Sequence, residues 1–511
     1  MSLNEQTPLN GSAPSLHSAA REATRSRLVR VALGSVLAVG LGALIYSASN
    51  SSVAVAVATS KAPNSPAAVV QGVPSGDESW RCGNGTQEAG YVKLANKIDD
   101  HYFYWYVEST NEPATDPLVL WLTGGPGVSS MTALLTENGP CSVNEDLTTT
   151  TNPYSWSTTA NMIWLDQPTG VGFSYSTTSE DDDKDEENVG ENIYWFLQGF
   201  LDKHPEFEGR EFYITGESYG GHYVPGAAHY IWKQSKNESA IESKRINLQG
   251  VAIGNGLTNP IIQYEHYVDQ AFNSYNISML NDEQIEQMRK DQIECIELTK
   301  QCQADPKNGT ICVDAEGCWN FKLVAPFSAA HRNSYDLRKP CEIVDKVGGM
   351  AVCGFSFGPI QEYLDLEPVR KFLNVEVPTW TQVSAEVMQA FVSSGDFSFS
   401  YESYVADLLN DGLRVLIYAG DADLVCNWTG NQAWTKSLEW KGKDGFNAAE
   451  ERAFTTHDPV IQDAPAVHAG TLRSFENFSF LRIFEAGHMV PTDQPAVSLE
   501  MIAKFFKNEA L

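Results

Sequence analysis

The chain has 511 residues, enough for one large domain with an insertion or for two to three smaller domains. It carries 65 Asp and Glu against 35 Lys and Arg, so its formal net charge is −30 at pH 7. Such a surface repels nucleic acid, and no basic patch in the sequence offsets the repulsion. An acidic compartment suits this composition, because partial protonation of the carboxylates lowers the self-repulsion.

The N-terminal segment predicts entry into the secretory pathway. Residues 1–27 are small and polar without periodicity, which is typical of a disordered tail. Residues 28–46 form an apolar run that follows an arginine cluster and precedes small residues, which fits either a cleaved signal peptide or an uncleaved anchor. Both alternatives lead to the vacuole, the lysosome or the exterior, the second as a type II membrane protein tethered through residues 28–46. Residues 47–80, rich in Ser, Ala, Val and Pro, predict a linker.

Cysteines and glycosylation triplets agree with this compartment. Nine cysteines in a large secretory chain should mostly be paired, and the odd count leaves at least one free. No Cys-x-x-Cys knuckle occurs, so metal binding by cysteines is disfavoured. The Asn-x-Ser/Thr triplets predict glycosylation at Asn84, Asn237, Asn276, Asn308 and Asn477, with further triplets at Asn50 and Asn427.

The folded part begins with strand patterns. Residues 91–94 and 102–107 predict antiparallel strands, and the apolar run 118–122 predicts a buried strand that feeds the glycine loop 123–127. This loop has no Lys-Ser/Thr and no Gly-x-Gly-x-x-Gly, which argues against a phosphate cradle. Residues 162–165 predict another buried strand.

The acidic run 179–187 predicts a solvated loop before a helix near residues 188–203. Calcium binding there is the weaker alternative, because the EF-hand glycine and terminal Glu are missing.

The sequence Gly-Glu-Ser-Tyr-Gly-Gly at residues 216–221 is the centre of the pattern. It lies between a predicted strand at 210–215 and a predicted helix at 227–233, which is the context of the nucleophile elbow of an α/β-hydrolase. The glycines permit a tight turn that exposes the Ser218 hydroxyl. The amide of Tyr219 can then serve as an oxyanion donor, with a second donor from the upstream glycine loop.

After the apolar strand at 251–256 the residue pattern of the chain changes. Residues 259–381 are helix-like and hold six of the nine cysteines, which predicts a disulfide-rich helical cap inserted between a first core part, 81–258, and a second, 382–511. Strands resume at 414–418 and 481–484, followed by Asp421 and Asp423 in one case and by His488 in the other.

The order Ser, Asp, His predicts an α/β-hydrolase fold with a mixed, mostly parallel central sheet flanked by helices. Ser218 would attack a carbonyl, His488 would take and return the proton, and an aspartate would hold the imidazole tautomer. Spacing alone does not decide whether Asp421 or Asp423 is this aspartate.

Five motifs resemble those of the serine carboxypeptidases, of the carboxypeptidase Y and lysosomal cathepsin A type. They include the glycine loop, the nucleophile turn and the loops that follow the strands at 414–418 and 481–484. The resemblance extends over nearly all of residues 90–506. The motifs are Trp-Leu-Thr-Gly-Gly-Pro-Gly at 121–127, Asp-Gln-Pro at 166–168, Gly-Glu-Ser-Tyr-Gly-Gly at 216–221, Gly-Asp-Ala-Asp at 420–423 and Ala-Gly-His-Met-Val-Pro at 486–491.

The resemblance implies a role for each site residue and no cofactor or metal. It assigns the triad acid to Asp423 and the oxyanion hole to the amides of Gly125 and Tyr219. It also implies a site for the substrate's C-terminal carboxylate, and further substrate contact, from Trp121, Thr123, Gly124, Glu137, Glu217 and Met489.

Two departures from the family pattern matter. Thr123 stands where the family has a carboxylate-binding Asn, so the resemblance implies weakened or re-aimed binding, since a hydroxyl can still donate one hydrogen bond. Val128 stands where the family has a cysteine, and its partner position is Val383, so one disulfide of the family is lost.

The same resemblance also implies how the remaining cysteines pair. It implies the pairs Cys295–Cys318, Cys302–Cys312 and Cys341–Cys353, and a free thiol at Cys426 near the active site. Cys82 and Cys141 then pair by elimination.

The leading interpretation is an exopeptidase that releases single C-terminal residues from peptides or proteins through an acyl-enzyme at acid pH. An acyltransferase on the same scaffold is one alternative, and a protein that binds and protects other lysosomal-type enzymes is another. The two carboxylate-site glutamates favour the peptidase, and the intact triad argues against a purely structural role.

Overall fold

A computed structural model describes residues 68–70, 79–236, 243–341, 343–347, 350–353 and 358–511. Twelve strands form one central sheet, in the spatial order β1-β2-β3-β7-β4-β9-β10-β13-β16-β15-β14, and β8 pairs with β3. Two small hairpins, β5-β6 and β11-β12, lie outside this sheet. The strands are β1 (Ala68–Val70), β2 (Gln87–Lys93), β3 (Asp100–Val107), β4 (Leu118–Leu122), β5 (Cys141–Val143), β6 (Thr149–Thr151), β7 (Asn161–Leu165), β8 (Tyr175–Ser176), β9 (Glu211–Glu217), β10 (Asn247–Gly254), β11 (Ile343–Val347), β12 (Met350–Cys353), β13 (Arg414–Gly420), β14 (Arg452–Thr456), β15 (Val467–Phe475) and β16 (Phe478–Ile483).

Helices cover the sheet and build the insertion. Short 3₁₀ turns and one π-helix, Trp319–Val324, complete the described elements. The α-helices are α1 (Met131–Thr136), α2 (Glu186–Lys203), α3 (Gly220–Ser235), α4 (Pro260–Tyr264), α5 (Asp282–Ala304), α6 (Gly309–Cys318), α7 (Ala325–Ser328), α8 (Ile360–Leu364), α9 (Glu367–Leu373), α10 (Ala385–Ser394), α11 (Glu402–Asn410), α12 (Trp428–Ser437), α13 (Lys443–Ala448), α14 (Val490–Asp493) and α15 (Pro495–Phe506).

The centre of the sheet is parallel and its two edges are antiparallel. The strands from β7 through β4, β9, β10 and β13 to β16 pair in parallel, whereas β2, β3, β14 and β15 pair antiparallel. Parallel strands are buried on both faces, which explains the continuous apolar runs in the sequence. In β4, for example, Leu118, Leu120 and Leu122 join the core that includes α2 and α3, and Val119 and Trp121 join the core that includes α1 and α15. The predicted α/β-hydrolase architecture is confirmed.

The insertion enters and leaves the sheet between two neighbouring strands. β10 and β13 pair in parallel, although residues 255–413 lie between them in the chain. Near the predicted end of the insertion, Thr381 and Val383 form antiparallel bridges with Gly172 and Val128 of the core. The segment therefore lies over the carboxyl ends of the parallel strands, where α/β sheets place their sites.

Three predicted disulfides are formed in the structure. Cys82–Cys141 joins the segment before β2 to β5, while Cys295–Cys318 and Cys302–Cys312 join α5 to α6. Cys341 is also disulfide-bonded, and the side chain of its predicted partner Cys353 lies outside the described residues. Cys426 is free and buried.

Several expectations need correction. The predicted linker 47–80 contains a three-residue strand, β1, that pairs antiparallel with β2. The prediction of a solvated loop over 179–187 is wrong for Asp181, Asp183 and Glu186, which are buried. Asp183, for instance, binds the Lys97 ammonium at 2.8 Å and accepts a hydrogen bond from the Tyr102 phenol. A local run of carboxylates therefore does not report exposure where the fold supplies donors.

The predicted tail and signal or anchor, residues 1–46, lie outside the described residues, as do Asn50 and Asn237. Within the described ranges, no helix has the length and hydropathy that crossing a membrane requires.

The described glycosylation triplets differ in exposure. Asn84, Asn276 and Asn308 are exposed. Asn477 is half-buried and its side-chain amide donates to two backbone carbonyls, whereas Asn427 is buried and caps α12. Access therefore favours the first three positions for attachment of a glycan.

Candidate active site

The nucleophile turn joins β9 to α3 and has a strained backbone. Ser218 adopts a φ of +62°, a conformation that L-residues rarely hold without support. The support comes from the end of β10: the Ser218 amide donates to the Gly254 carbonyl at 3.1 Å, and the Leu257 amide donates to the Ser218 carbonyl at 2.9 Å. A Cβ at Gly221 would lie 2.4 Å from the Leu257 oxygen, so only glycine fits there. The turn has the strand–turn–helix geometry that the sequence predicts for a nucleophile elbow.

The glycine loop packs directly against this turn. A Cβ at Gly124 would lie 2.2 Å from the Tyr219 amide nitrogen and 2.8 Å from Ser218 Cβ, so the two segments are in backbone contact. Gly125 follows with a φ of +114°, which also requires glycine. The amides of Gly125 and Tyr219, which the sequence predicts as oxyanion donors, therefore belong to two touching segments beside Ser218.

Asp423 and His488 form a buried acid–imidazole pair. Asp423 Oδ2 lies 2.7 Å from His488 Nδ1, and both residues are almost fully buried. The same carboxylate accepts hydrogen bonds from Asn255 Nδ2 at 2.8 Å and from the Val425 amide at 2.9 Å. A carboxylate held by several donors stays in place and keeps the proton on His488 Nδ1, so that Nε2 is available as a base.

The rival acid, Asp421, is fully engaged elsewhere. Its carboxylate accepts from Arg482 at 2.8 Å, from the Glu485 amide at 3.0 Å and from the Tyr275 phenol. These contacts join the acid loop to the turn before His488 and to the insertion. The geometry therefore selects Asp423 as the aspartate that contacts the histidine.

The insertion also contacts the loop that carries Asp423 and the loop that carries His488. The Tyr335 carbonyl accepts from the His488 amide at 2.7 Å, and the Tyr335 ring meets the imidazole edge-on at 5.2 Å between centroids. One residue earlier, the Ser334 carbonyl accepts from the amides of Leu424 and Val425, both at 3.1 Å.

Sequence reasoning did not find these contacts. A contact made by a backbone carbonyl does not depend on the residue type, so the sequence does not mark it. The only sequence feature that points to Asn255 is its position directly after an apolar strand.

Two buried glutamates lie side by side at the same end of the sheet. The carboxyls of Glu137 and Glu217 hydrogen-bond each other, and each residue is about 5% exposed or less. Burial raises the pKa of Glu137 to about 7. Burial, together with the negative charge of Glu137, raises the pKa of Glu217 well above its usual value. At least one proton is therefore shared by the pair in acid solution.

The other predicted carboxylate-site residues are buried near this pair in the fold. Trp121 Nε1 donates to Thr123 Oγ1 at 2.8 Å, so the Thr123 hydroxyl hydrogen remains available for another acceptor. Met489, next to His488, is buried as well.

One group of potential metal ligands exists among the described residues. Ligand atoms of Asp423, Cys426 and His488 lie within 4.8 Å of one another, and all three residues are buried. Zinc and other borderline or soft ions prefer such thiolate and imidazole ligands. Because Asp423 and His488 already bind each other, we interpret this group as the acid–imidazole pair with a thiol beside it.

Comparison with known proteins agrees with this geometry. Residues 78–508 match the family model described as serine carboxypeptidase. Carboxypeptidase Y of Komagataella phaffii is 39% identical over 424 residues, which cover 83% of this chain and 76% of the relative. The vacuolar serine-type carboxypeptidase ATG42 of Saccharomyces cerevisiae is 39% identical over 417 residues, 81% of this chain and 78% of the relative.

A solved structure shows the same fold. The crystal structure of Kex1(delta)p, a prohormone-processing carboxypeptidase from Saccharomyces cerevisiae, superposes with a TM-score of 0.70 at 25% identity, covering 84% of this chain and 92% of that one. The chain therefore belongs to the serine carboxypeptidase family and is a serine-type carboxypeptidase.

Proposed function

We propose that Ser218, His488 and Asp423 form the catalytic triad of this carboxypeptidase. Ser218 Oγ attacks the carbonyl of the last peptide bond while His488 takes its proton, and the amides of Gly125 and Tyr219 receive the developing oxyanion. His488 then returns the proton to the leaving amino acid, and water hydrolyses the acyl-enzyme by the same route. The contact of 2.7 Å between Asp423 and His488 is the observation that supports this assignment most directly.

Glu137 and Glu217 give the enzyme its selectivity for free C-termini. A substrate carboxylate beside two ionised glutamates would meet strong repulsion, whereas a protonated carboxyl donates a hydrogen bond to it. The raised pKa values of both glutamates, which follow from burial, support such a protonated pair. Trp121, Thr123 and Gly124 complete the carboxylate site. The resulting activity is highest in acid and acts on peptides or proteins with a free C-terminal residue.

An acidic vacuole or lysosome is the compartment that this activity fits. Glutamates that bind substrate only when protonated need a pH below about 7, the pKa of Glu137. The name of the vacuolar relative ATG42, the net charge of −30 and the exposed glycosylation triplets support the same location.

A blocked dipeptide and its C-terminal amide test this proposal. We expect the purified enzyme to release the last residue of the dipeptide at pH 5 far faster than that of the amide, and Ser218→Ala to abolish both reactions. Equal rates on the two substrates at pH 5 would overturn the carboxylate site. Transfer of the acyl group to an added alcohol without release of free acid would instead support the acyltransferase.

A further inference from the structure

A buried carboxylate outside the acid–imidazole pair, that of Asp396, contacts the nucleophile turn. Asp396 is 2% exposed and lies in the segment that follows α10. Its Oδ1 accepts a hydrogen bond from the Tyr219 phenol at 2.5 Å. Its Oδ2 accepts from the Tyr401 phenol at 2.7 Å and from the Glu186 amide at 2.9 Å. The carboxylate thus joins the nucleophile turn to α2 and to the chain before α11.

Tyr219 is fixed along its whole side chain. Its ring stacks on His222 at 4.3 Å and on Phe397 at 5.5 Å between centroids, and its hydroxyl ends on Asp396. Tyr219 directly follows Ser218 and precedes the first residue of α3. A tyrosine has two main side-chain torsions, so holding the ring and the hydroxyl also fixes the backbone from which they extend.

The next tyrosine on the same face of α3 contacts the other half of the oxyanion site. Tyr223 lies four residues after Tyr219, one helical turn away, and its hydroxyl accepts a hydrogen bond from the Gly127 amide at 3.1 Å. Gly127 ends the glycine loop that carries the Gly125 amide. One face of α3 therefore holds both segments that supply oxyanion donors.

We propose that Asp396 is a positioning residue for the oxyanion hole, acting through the Tyr219 phenol, with Tyr223 holding the opposite segment through Gly127. The inference rests on the proposed function, because it assumes that the Tyr219 amide receives the oxyanion. Asp396 touches neither substrate nor the reacting atoms, so its effect on the reaction is indirect.

The charges around Asp396 fit an acidic working range. The ionisable groups that face it are the side chains of Glu186, Asp185, Tyr219, Tyr223, Tyr401 and Tyr404 and the ring of His222. Burial lowers the pKa of His222 to about 4, so none of these groups is a cation above that pH. Neither carboxylate oxygen of buried Glu186 has a hydrogen-bond partner, and burial raises its pKa well above the usual value. Glu186 is therefore neutral in acid. Burial also raises the pKa of Asp396 to about 6, and its Oδ1 can accept from the Tyr219 phenol whether or not the carboxyl is protonated.

Two matched substitutions separate positioning from a general loss of stability. Tyr219→Phe and Tyr401→Phe each remove one phenol from the same carboxylate, but only Tyr219 carries an oxyanion amide. We expect Tyr219→Phe to lower kcat by roughly 10- to 100-fold, less than the 10²–10³-fold typical for complete loss of an oxyanion donor. We expect KM to change little in this variant, and Tyr401→Phe to keep a kcat near that of the wild type. Equal kcat values in the two variants would overturn the inference.

Affinity for a peptide aldehyde gives a readout that does not depend on turnover. The aldehyde forms a tetrahedral adduct with Ser218 whose oxygen occupies the oxyanion hole, whereas the blocked amino acid product binds without an oxyanion. Tyr219→Phe should weaken aldehyde binding by the same factor as kcat and leave product binding unchanged. An unchanged aldehyde affinity would contradict the inference, whereas failure of the wild type to bind the aldehyde would contradict the proposed roles of Ser218 and the oxyanion amides.

A second pair of variants covers the case in which Tyr219→Phe does not fold. Asp396→Asn keeps one oxygen that can accept the Tyr219 phenol, whereas Asp396→Ala keeps none. We expect kcat and aldehyde affinity in Asp396→Asn to lie closer to the wild type than in Asp396→Ala. The same loss in both variants, or no loss in either, would overturn the proposed role.

Discussion

Val128 and Val383 face each other in an isolated antiparallel bridge at the position where the family resemblance implies a lost disulfide. The Ser129 amide donates to the Gln382 carbonyl at 2.9 Å, and the Ser384 amide donates to the Gly127 carbonyl at 2.8 Å. These bonds flank the two valines, so the valines occupy a non-hydrogen-bonded pair, in which Cα atoms lie about 4.5 Å apart. Backbone pairing thus joins the glycine loop to the end of the insertion without a covalent bond.

Restoring two cysteines at these positions should rebuild the cross-link. A separation of about 4.5 Å is within the range that disulfides accept. We expect the double variant Val128→Cys, Val383→Cys to form the bond on oxidation and to gain about 2–4 kcal/mol in the free energy of unfolding. Mass spectrometry after alkylation checks the bond, and denaturant unfolding of the oxidised variant and of the wild type, both without reductant, checks the gain. Failure to oxidise, or an oxidised variant less stable than the wild type, would show that the pair is spaced or oriented differently.

The parts of the fold that the sequence predicts are those buried on both sides. β4 and β7 are buried at every position and appear as unbroken apolar runs. β14 and β15 were missed because they lie at an antiparallel edge, where exposed and buried positions mix and the apolar pattern weakens. The cysteines and the change in composition after β10 predict an insertion, but its contacts depend on how the segment folds back over the sheet.

The site residues also divide into those that the local sequence predicts and those that it does not. Ser218, Asp423 and His488 each follow a strand, so local pattern and chain order are enough to predict them. Asp396 and Tyr335 reach the site from chain segments that no local motif marks. Their contacts are a property of the packed structure.

The choice between the two aspartates of the acid loop can be tested directly. Asp423→Asn removes the partner that orients His488, and we expect kcat to fall by roughly 10⁴-fold with folding intact. Asp421→Asn keeps an oxygen for Tyr275 and weakens only the ion pair with Arg482, so kcat should stay within about tenfold of the wild type. Steady-state kinetics with circular dichroism as the control for folding decides the matter. A larger loss in Asp421→Asn would reverse the assignment.

Cys426 should be the single thiol that reacts in the native protein. It is 4% exposed, and burial together with the charge of Asp423 raises the pKa of the thiol. Iodoacetamide, which needs the thiolate, should therefore react slowly. A small mercurial should react and slow catalysis, because the added metal would lie beside Asp423 and His488. Alkylation in denaturant without reductant, followed by mass spectrometry, counts the unpaired thiols, and Cys426→Ser is the control. A count of none or of three would contradict the predicted pairing.

Global stability should fall as the pH rises from acid to neutral. Burial raises the pKa of Glu316, in α6, from 4.5 to about 8. A carboxyl whose pKa is higher in the folded state stabilises the fold fully below pH 4.5, and this contribution is lost as the pH rises towards 8. The largest possible slope for one such group is about 1.4 kcal/mol per pH unit.

Glu316→Gln tests this dependence at a residue that is not part of the proposed triad or carboxylate site. The variant cannot lose a proton, so its free energy of unfolding should fall less between pH 5 and pH 8 than that of the wild type. Glu297→Gln, an exposed position on the adjoining helix α5, is the matched control and should follow the wild type. Denaturant titrations at both pH values provide the measurement. Identical slopes in all three proteins would mean that Glu316 is not protonated in the fold.

The glutamate pair should give peptide and amide substrates different pH profiles. Burial raises the pKa of Glu137 to about 7, so below this pH the pair with Glu217 holds a proton that a substrate carboxylate can share. Above it, Glu137 ionises, the pair gains a negative charge that repels the carboxylate, and kcat/KM for a blocked dipeptide should fall. A C-terminal amide has no carboxylate to repel, so its kcat/KM should not share this decline. Glu217→Gln provides a neutral donor at every pH, so the decline with the dipeptide should be weaker. Glu316→Gln serves as a control in which a buried carboxyl outside the proposed carboxylate site is neutralised. Rates measured from about pH 4.5 to 8 span the ordinary titrations of carboxyl and imidazole groups. Parallel profiles for the two substrates in the wild type would exclude Glu137 and Glu217 as the carboxylate site.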